Sequence, residues 1–163
     1  DLNRVVESAV RVAGSEWHGL AAVSTELDPD LPLVPCLAGG INQVIVNMLV
    51  NAAHAIEARG AGPPGRTVVS TRQAGDAAEI RITDNGSGMS EDVRARVFDP
   101  FFTTKDVGRG TGQGLAIAHG VVKKHSGSIA VDSERGRGTC FTIRLPLAAP
   151  QVRRESAPGA SGR

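Results

Sequence analysis

A glycine-rich stretch that runs directly into an apolar segment is the feature that most restricts how this chain can fold. Four glycines alternate with other residues over 108–114, and apolar residues dominate 115–122. Glycine reaches backbone angles closed to other residues and lets a ligand approach the main chain. If the stretch opens a helix, its free N–H groups and the helix dipole form an anion site, for which phosphate is the expected ligand. A mobile surface loop is the alternative for the glycines taken alone.

The composition is that of one globular domain. The chain has 163 residues, 40% hydrophobic and 21% charged, which is enough to bury a core. A net charge of +1 gives no reason to expect a nucleic-acid partner. Cys36 and Cys140 lack metal-ligand spacing and are expected to be free thiols. Because the chain begins at Asp1, without Met or a signal peptide, we expect a piece of a longer cytoplasmic protein.

Hydrophobic periodicity predicts four helices and six strands. The predicted helices are 1–13 (ended by Gly14), 41–58, 91–97 (capped by Ser90) and 115–125. The predicted strands are 20–27, 66–73, 78–84, 128–133, 139–145 and a short edge strand at 33–37. The residues at 149–163 are rich in Ala, Pro, Gly, Ser and Arg and are expected to be a disordered tail.

A second glycine motif lies between the second helix and the next strand. Gly60, Gly62 and Gly65 fit Gly-x-Gly-x-x-Gly, but a dinucleotide fingerprint follows a strand and opens a helix. The order here is the reverse, and Pro63 and Pro64 lie inside the motif. We therefore reject it as a nucleotide site.

Polar residues in two places suggest a nucleotide site. Asn47, Asn51 and His54 share one face of the second helix, where amide oxygens can bind Mg²⁺ or the face can simply be solvated. Asp84 ends a strand and enters a glycine turn. Its carboxylate can accept a hydrogen bond from the exocyclic amine of adenine, where guanine presents an acceptor. In isolation, Asp-Asn-Gly is also an ordinary turn.

The segment before the glycine stretch carries a possible phosphate ligand and a lid. Lys105 can act as a mobile positive charge for phosphate, or be a surface lysine. Phe98, Pro100, Phe101 and Phe102 can anchor a lid over the site or fill a gap in the core.

Together these motifs resemble the ATP-binding catalytic domain of sensor histidine kinases, in the GHKL ATPase superfamily. The segments similar to the family's N, G1, F and G2 boxes and its last glycine motif are 47–55, 84–89, 98–101, 110–115 and 136–141. The resemblance covers about residues 1–148, as one catalytic domain. It implies a two-layer α/β sandwich, the Bergerat-type fold, with a mixed, mainly antiparallel sheet covered on one face by helices.

The resemblance also implies site residues, cofactors and partners. The implied catalytic residues are Asn47 and Lys105, and the implied metal ligand, for Mg²⁺, is Asn51. The implied ATP-binding residues are Asn47, Asn51, His54, Asp84, Gly86, Gly88, Met89, Lys105, Gly110, Thr111, Gly112, Gln113, Gly114, Leu115 and Thr139. The implied partners are an upstream dimerisation domain bearing the phosphoacceptor histidine and a response regulator. We expect the fragment to be a monomer and the full-length protein a homodimer, with membrane attachment of the parent left open.

The sequence departs from the family pattern at one position, and three other functions remain open. The family often has Lys where His54 stands. One alternative is a hydrolytic ATPase of the gyrase, mismatch-repair or chaperone type, but these carry a Glu base where this chain has Asn47. The others are an anti-sigma protein-serine kinase and a degenerate module that binds a partner without nucleotide. None of His18, His54, His119 and His125 has the phosphoacceptor context.

Overall fold

The computed structural model describes residues 1–102 and 114–148. Its helices are α1 Leu2–Val12, α2 Gly14–Trp17, α3 Ala38–Arg59, α4 Glu91–Arg96 and α5 Gly114–Lys124. Its strands are β1 Ala21–Glu26, β2 Gly65–Ala74, β3 Ala77–Asp84, β4 Ser128–Glu134 and β5 Gly138–Pro146. No helix within these two ranges is long and apolar enough to span a bilayer.

The five strands form one mixed sheet in the order β1-β2-β3-β5-β4. β1 is parallel to β2, and every other pair is antiparallel. In the β3–β5 pair, Ile80 lies opposite Ile143 and Ile82 opposite Phe141. The predicted alternation therefore places these side chains on one face. Each such apolar side chain contributes about 1.5–3 kcal/mol by leaving water.

Helices cover the apolar face of the sheet. α3 contacts β2, β3 and β5, and it also packs against α1 and α5. The largest fully buried side chains come from both layers: Leu2, Val6, Ile41, Val44, Ile45, Met48, Leu49, Val69, Ile80, Ile82, Ile143 and Leu145. The opposite face of the sheet is polar, and Glu79 lies there between Arg72 and Arg144 at 2.8 and 3.6 Å. The expected two-layer α/β sandwich is confirmed.

One local prediction is wrong at the start of the chain. Asp1 caps α1 as expected, accepting from the Arg4 N–H at 3.2 Å. The helix nevertheless ends at Val12, and Gly14 begins the short helix α2 instead of terminating α1. The backbone at Gly14 is helical, and the left-handed angle that glycine favours occurs later, at Gly19 with φ 74°. Glycine therefore marks the end of the helical pair α1–α2.

The predicted edge strand at 33–37 is also wrong. Pro32 and Pro35 supply no N–H to a strand ladder, and the edge strands of the described sheet are β1 and β4. Val34 is buried in the core, whereas Leu33 and Leu37 are 75% exposed. Val34 is thus an anchoring side chain in an irregular connection to α3.

The order of elements around 60–65 agrees with rejecting the dinucleotide motif. α3 ends at Arg59, Gly60 follows with φ 72°, and β2 starts at Gly65. The three glycines thus join a helix to a strand. A Rossmann turn joins a strand to a helix, so its phosphate-binding geometry does not arise here.

Candidate nucleotide-binding site

Asp84 is the last residue of β3 and is only 6% exposed. Its Oδ1 atom accepts from the Gly86 N–H at 2.8 Å. Burial raises the pKa of this carboxyl from 3.8 to about 6, while hydrogen bonds from the backbone of Gly86 and Thr139 act in the opposite direction. At neutral pH the group is therefore a charged acceptor held in a poorly solvated place.

The turn after Asp84 needs its glycines for close packing. A Cβ on Gly86 would lie 2.6 Å from the carbonyl carbon of Ala55 in α3. Gly88 has φ 67°, and a Cβ there would collide with the backbone of Glu134. The Ser87 N–H donates to the Ala55 carbonyl at 2.9 Å. These contacts attach the turn to α3 one residue beyond His54.

The predicted polar face of α3 is present. Asn47, Asn51 and His54 are all half-buried, beside the buried stripe of the same helix. The turn after β3 therefore meets this helix directly beyond that face. The structure thus brings the predicted adenine-reading carboxylate and the predicted metal-binding helix face into one region.

Asn47 links α3 to the start of α5. Its Nδ2 donates to the Gly114 carbonyl at 3.2 Å, and its Oδ1 accepts from Gln43 Nε2 at 2.9 Å. Gly114 is the first residue of α5, the helix that the glycine stretch was predicted to open. Sequence reasoning missed Gln43, although its position one helical turn before Asn47 was a usable signal.

Met89 and Thr139 meet through a residue that the sequence analysis also missed. Ser133 Oγ accepts from the Met89 N–H at 2.8 Å and lies 2.8 Å from Thr139 Oγ1. Thr139 is buried and lies opposite both Asp84 and Ser133 in the sheet register. Ser133 therefore couples the end of the turn to the strand beside Asp84.

The Phe cluster divides into a core side chain and an exposed one. The Phe98 ring lies 5.3 Å from the His119 ring on α5 and 6.2 Å from the Phe141 ring on β5. Phe101 is 70% exposed and has φ 63°. Phe98 thus anchors the beginning of the predicted lid against the core.

Several predicted phosphate ligands lie outside the described residues. These are Lys105, Gly110, Thr111, Gly112 and Gln113, and the predicted tail at 149–163 lies outside as well. Leu115, which follows Gly114 in α5, is half-buried against the core.

The metal-binding side chains among the described residues fit a Mg²⁺ ion that is held mainly by the nucleotide. Over 1–102 and 114–148, no group of three or more His, Cys, Asp or Glu side chains could hold a metal ion. Mg²⁺ in nucleotide sites needs one or two protein oxygens, with water and phosphate supplying the rest. The half-buried amide of Asn51 is a donor of the right chemistry for that arrangement.

The described site is thus a buried strand-end carboxylate packed beside the polar face of a helix. Residues 37–149 match the family model described as "Histidine kinase-, DNA gyrase B-, and HSP90-like ATPase", and the chain belongs to this family. The recognition made from the motifs is confirmed.

Named relatives indicate the kind of protein more narrowly. It is 36% identical over 156 residues to the sensor kinase CckA of Brucella abortus, covering 85% of this chain and 16% of that protein. It is 40% identical over 150 residues to the signal transduction histidine-protein kinase AtoS of Escherichia coli, covering 90% and 23%. The solved mycobacterial sensor histidine kinase MprB aligns with TM-score 0.76 and 29% identity, over 90% of this chain and 95% of that one.

These matches show homology to the ATPase domain of sensor histidine kinases. The chain is homologous to a part of sensor histidine kinases and spans less than a quarter of the length of either named curated relative. The solved catalytic domain of histidine kinase ThkA shares the fold, with TM-score 0.76 at 23% identity.

Proposed function

We propose that this chain binds Mg²⁺–ATP and transfers its γ-phosphate to a histidine on a separate, upstream dimerisation domain, from which a response regulator takes it. The observation that carries the proposal is the Asp84 carboxylate, buried at a strand end and joined through its turn to α3. A buried charged acceptor in a family of ATPases is suited to the adenine amine.

Each predicted ligand has a distinct role in this proposal. Asp84 orients the adenine ring, with Gly86 and Gly88 allowing the ring to approach the backbone. Asn51 holds Mg²⁺, which neutralises charge on the phosphates when bound. Lys105 and the glycines within 110–114 hold the phosphates at the start of α5.

The amide side chain of Asn47 and its hydrogen bonds favour phosphoryl transfer over hydrolysis. An amide cannot take a proton from water, and both ends of this amide already have protein partners, Gln43 and Gly114. Its proposed contribution is to position the start of α5 against α3. Catalysis then depends on alignment of the acceptor with the γ-phosphate and on charge neutralisation.

Two of the chain's own histidines are engaged in ways unsuited to accepting phosphate. His125 Nε2 accepts from the Leu37 N–H at 3.0 Å, and its Nδ1 lies 2.8 Å from the Val121 carbonyl. His119 is half-buried with its ring against Phe98. These contacts support an acceptor on another domain. In this proposal the domain is cytoplasmic and monomeric, the full-length protein is a homodimer, and no nucleic acid takes part.

The test is incubation with γ-labelled ATP and Mg²⁺, with and without the upstream helical domain added as a separate protein. We expect no label on the chain alone, slow release of phosphate, and acid-labile label on the added domain. The Asp84→Asn variant should transfer little label at the same ATP concentration. Acid-labile label on the chain itself would contradict the proposal, and acid-stable label on a serine of an added protein would indicate a serine kinase.

A further inference from the structure

Asn85 fastens the turn after β3 to the beginning of β2. Its N–H donates to the Arg66 carbonyl at 3.2 Å, and its Oδ1 accepts from the Arg66 N–H at 2.7 Å. Its Nδ2 donates to the Pro64 carbonyl at 2.9 Å. These three bonds fix the amide and the side chain of Asn85, so the orientation of its carbonyl depends on a further contact.

Arg59, the last residue of α3, supplies that contact. Its Nη1 donates to the Asn85 carbonyl at 2.5 Å, and its Nη2 donates to the Pro63 carbonyl at 2.5 Å. Such charge-assisted bonds are stronger than those between neutral groups, and the planar guanidinium orients both carbonyls together. The Nε–H of Arg59 is buried without an acceptor among the described residues. An unsatisfied N–H costs stability, which offsets part of what the two hydrogen bonds contribute.

The carbonyl that Arg59 holds belongs to the same planar unit as the N–H that holds Asp84. The peptide bond between Asn85 and Gly86 is rigid, so its C=O and N–H turn together. Arg59 binds the oxygen of this peptide, and Asp84 Oδ1 accepts from its N–H at 2.8 Å. Rotation of this peptide would therefore redirect the Asp84 carboxylate.

We propose that Arg59 is a positioning residue for adenine recognition, acting through the Asn85–Gly86 peptide on the Asp84 carboxylate. The inference rests on the proposed function, in which Asp84 accepts from the adenine amine. Arg59 and Asn51 belong to the same helix. The bond from Arg59 to the Asn85 carbonyl therefore also positions Asp84 relative to the predicted metal ligand, Asn51. Losing Arg59 should lower the preference for a 6-amino purine more than it lowers overall nucleotide affinity.

The experiment compares the dissociation constants of ATP and of ITP, which carries a carbonyl oxygen in place of the 6-amino group. Calorimetry is done on the wild-type chain and on the Arg59→Met, Arg59→Lys and Arg72→Met variants. We expect the wild type to prefer ATP by about tenfold or more, and Arg59→Met to lose most of that ratio. Arg59→Lys keeps a cation that can reach the Asn85 carbonyl but lacks the planar fork, so its ratio should be intermediate.

Arg72→Met is the matched control for loss of a structural arginine. Arg72 pairs with Glu79 on the polar face of the sheet, away from the turn. This variant should melt at a lower temperature and keep the wild-type ratio of ATP to ITP affinity. If Arg59→Met does not fold, the ratio of ATP to ITP affinity in Arg59→Lys, compared with that of the wild type, provides the test.

The failures of the two proposals give different results. A wild-type ratio in the Arg59 variants, or an equal loss of ATP and ITP affinity, would overturn the role of Arg59 while leaving that of Asp84 intact. A wild-type chain that binds ATP and ITP equally, with no effect of Asp84→Asn, would overturn adenine reading by Asp84 and the inference with it.

Discussion

Replacing Asp84 with Asn is expected to stabilise the nucleotide-free domain and to weaken its binding of ATP. Burial raises the pKa of Asp84 from 3.8 to about 6, so the folded state disfavours the charged carboxylate. The difference of about two pH units corresponds to about 3 kcal/mol of lost stability at pH 7.5. Asparagine removes that cost, but it cannot accept from both backbone N–H groups. The lost hydrogen bond lowers the stability of the variant by about 1 kcal/mol. The net gain is about 2 kcal/mol, or a rise of about 4–8 °C in Tm.

The sign of the pH dependence follows from the direction of the pKa shift. The charge penalty is fully present at pH 7.5, well above 6, where Asp84 is ionised in both the folded and unfolded states. As the pH falls, the folded protein takes up a proton before the unfolded chain does, and the penalty drops to about half at pH 5. The Tm advantage of Asp84→Asn should therefore shrink between pH 7.5 and pH 5.

Calorimetric melting at the two pH values measures the gain in Tm, and titration with ATP at pH 7.5 measures the loss of ATP affinity. Removing the charged acceptor should weaken binding by about 1.5–3 kcal/mol. Asp76→Asn, in the exposed turn between β2 and β3, is the control and should change neither quantity. A variant less stable than wild type at pH 7.5, or a Tm difference independent of pH, would refute the reasoning from burial.

Three further predictions concern the elements around the site. Asn47→Ala removes the bond to the Gly114 carbonyl and should weaken ATP binding about five- to tenfold by calorimetry; unchanged affinity would count against a positioning role. His125→Leu removes the acceptor for the Leu37 N–H and should lower the free energy of unfolding by about 1 kcal/mol in urea titrations, whereas wild-type stability would show that water replaces the bond. Amide hydrogen exchange over 97–110 should slow with Mg²⁺ and a non-hydrolysable ATP analogue if this segment is a lid, and equal rates would argue against one.

Local chemistry made much of this protein predictable from its sequence. The apolar stripe of α3 repeats at the helical period, and the alternation of β3 and β5 has the period of a strand, so both could be read without knowing their neighbours. Asp84 and its glycines also stand together in the chain. The order of five such motifs was enough to identify the family that the comparisons confirm.

Tertiary structure decided how those motifs are held. Gln43, Ser133 and Arg59 support the predicted site, yet all three lie outside its motifs and none was selected from the sequence. Arg59 and Asn85 are 26 residues apart, so no spacing rule predicts that they meet. The pKa of Asp84 likewise depends on burial by surrounding layers. Sequence determines what a segment of a few residues favours, whereas desolvation and long-range hydrogen bonds exist only after segments far apart in the chain have packed together.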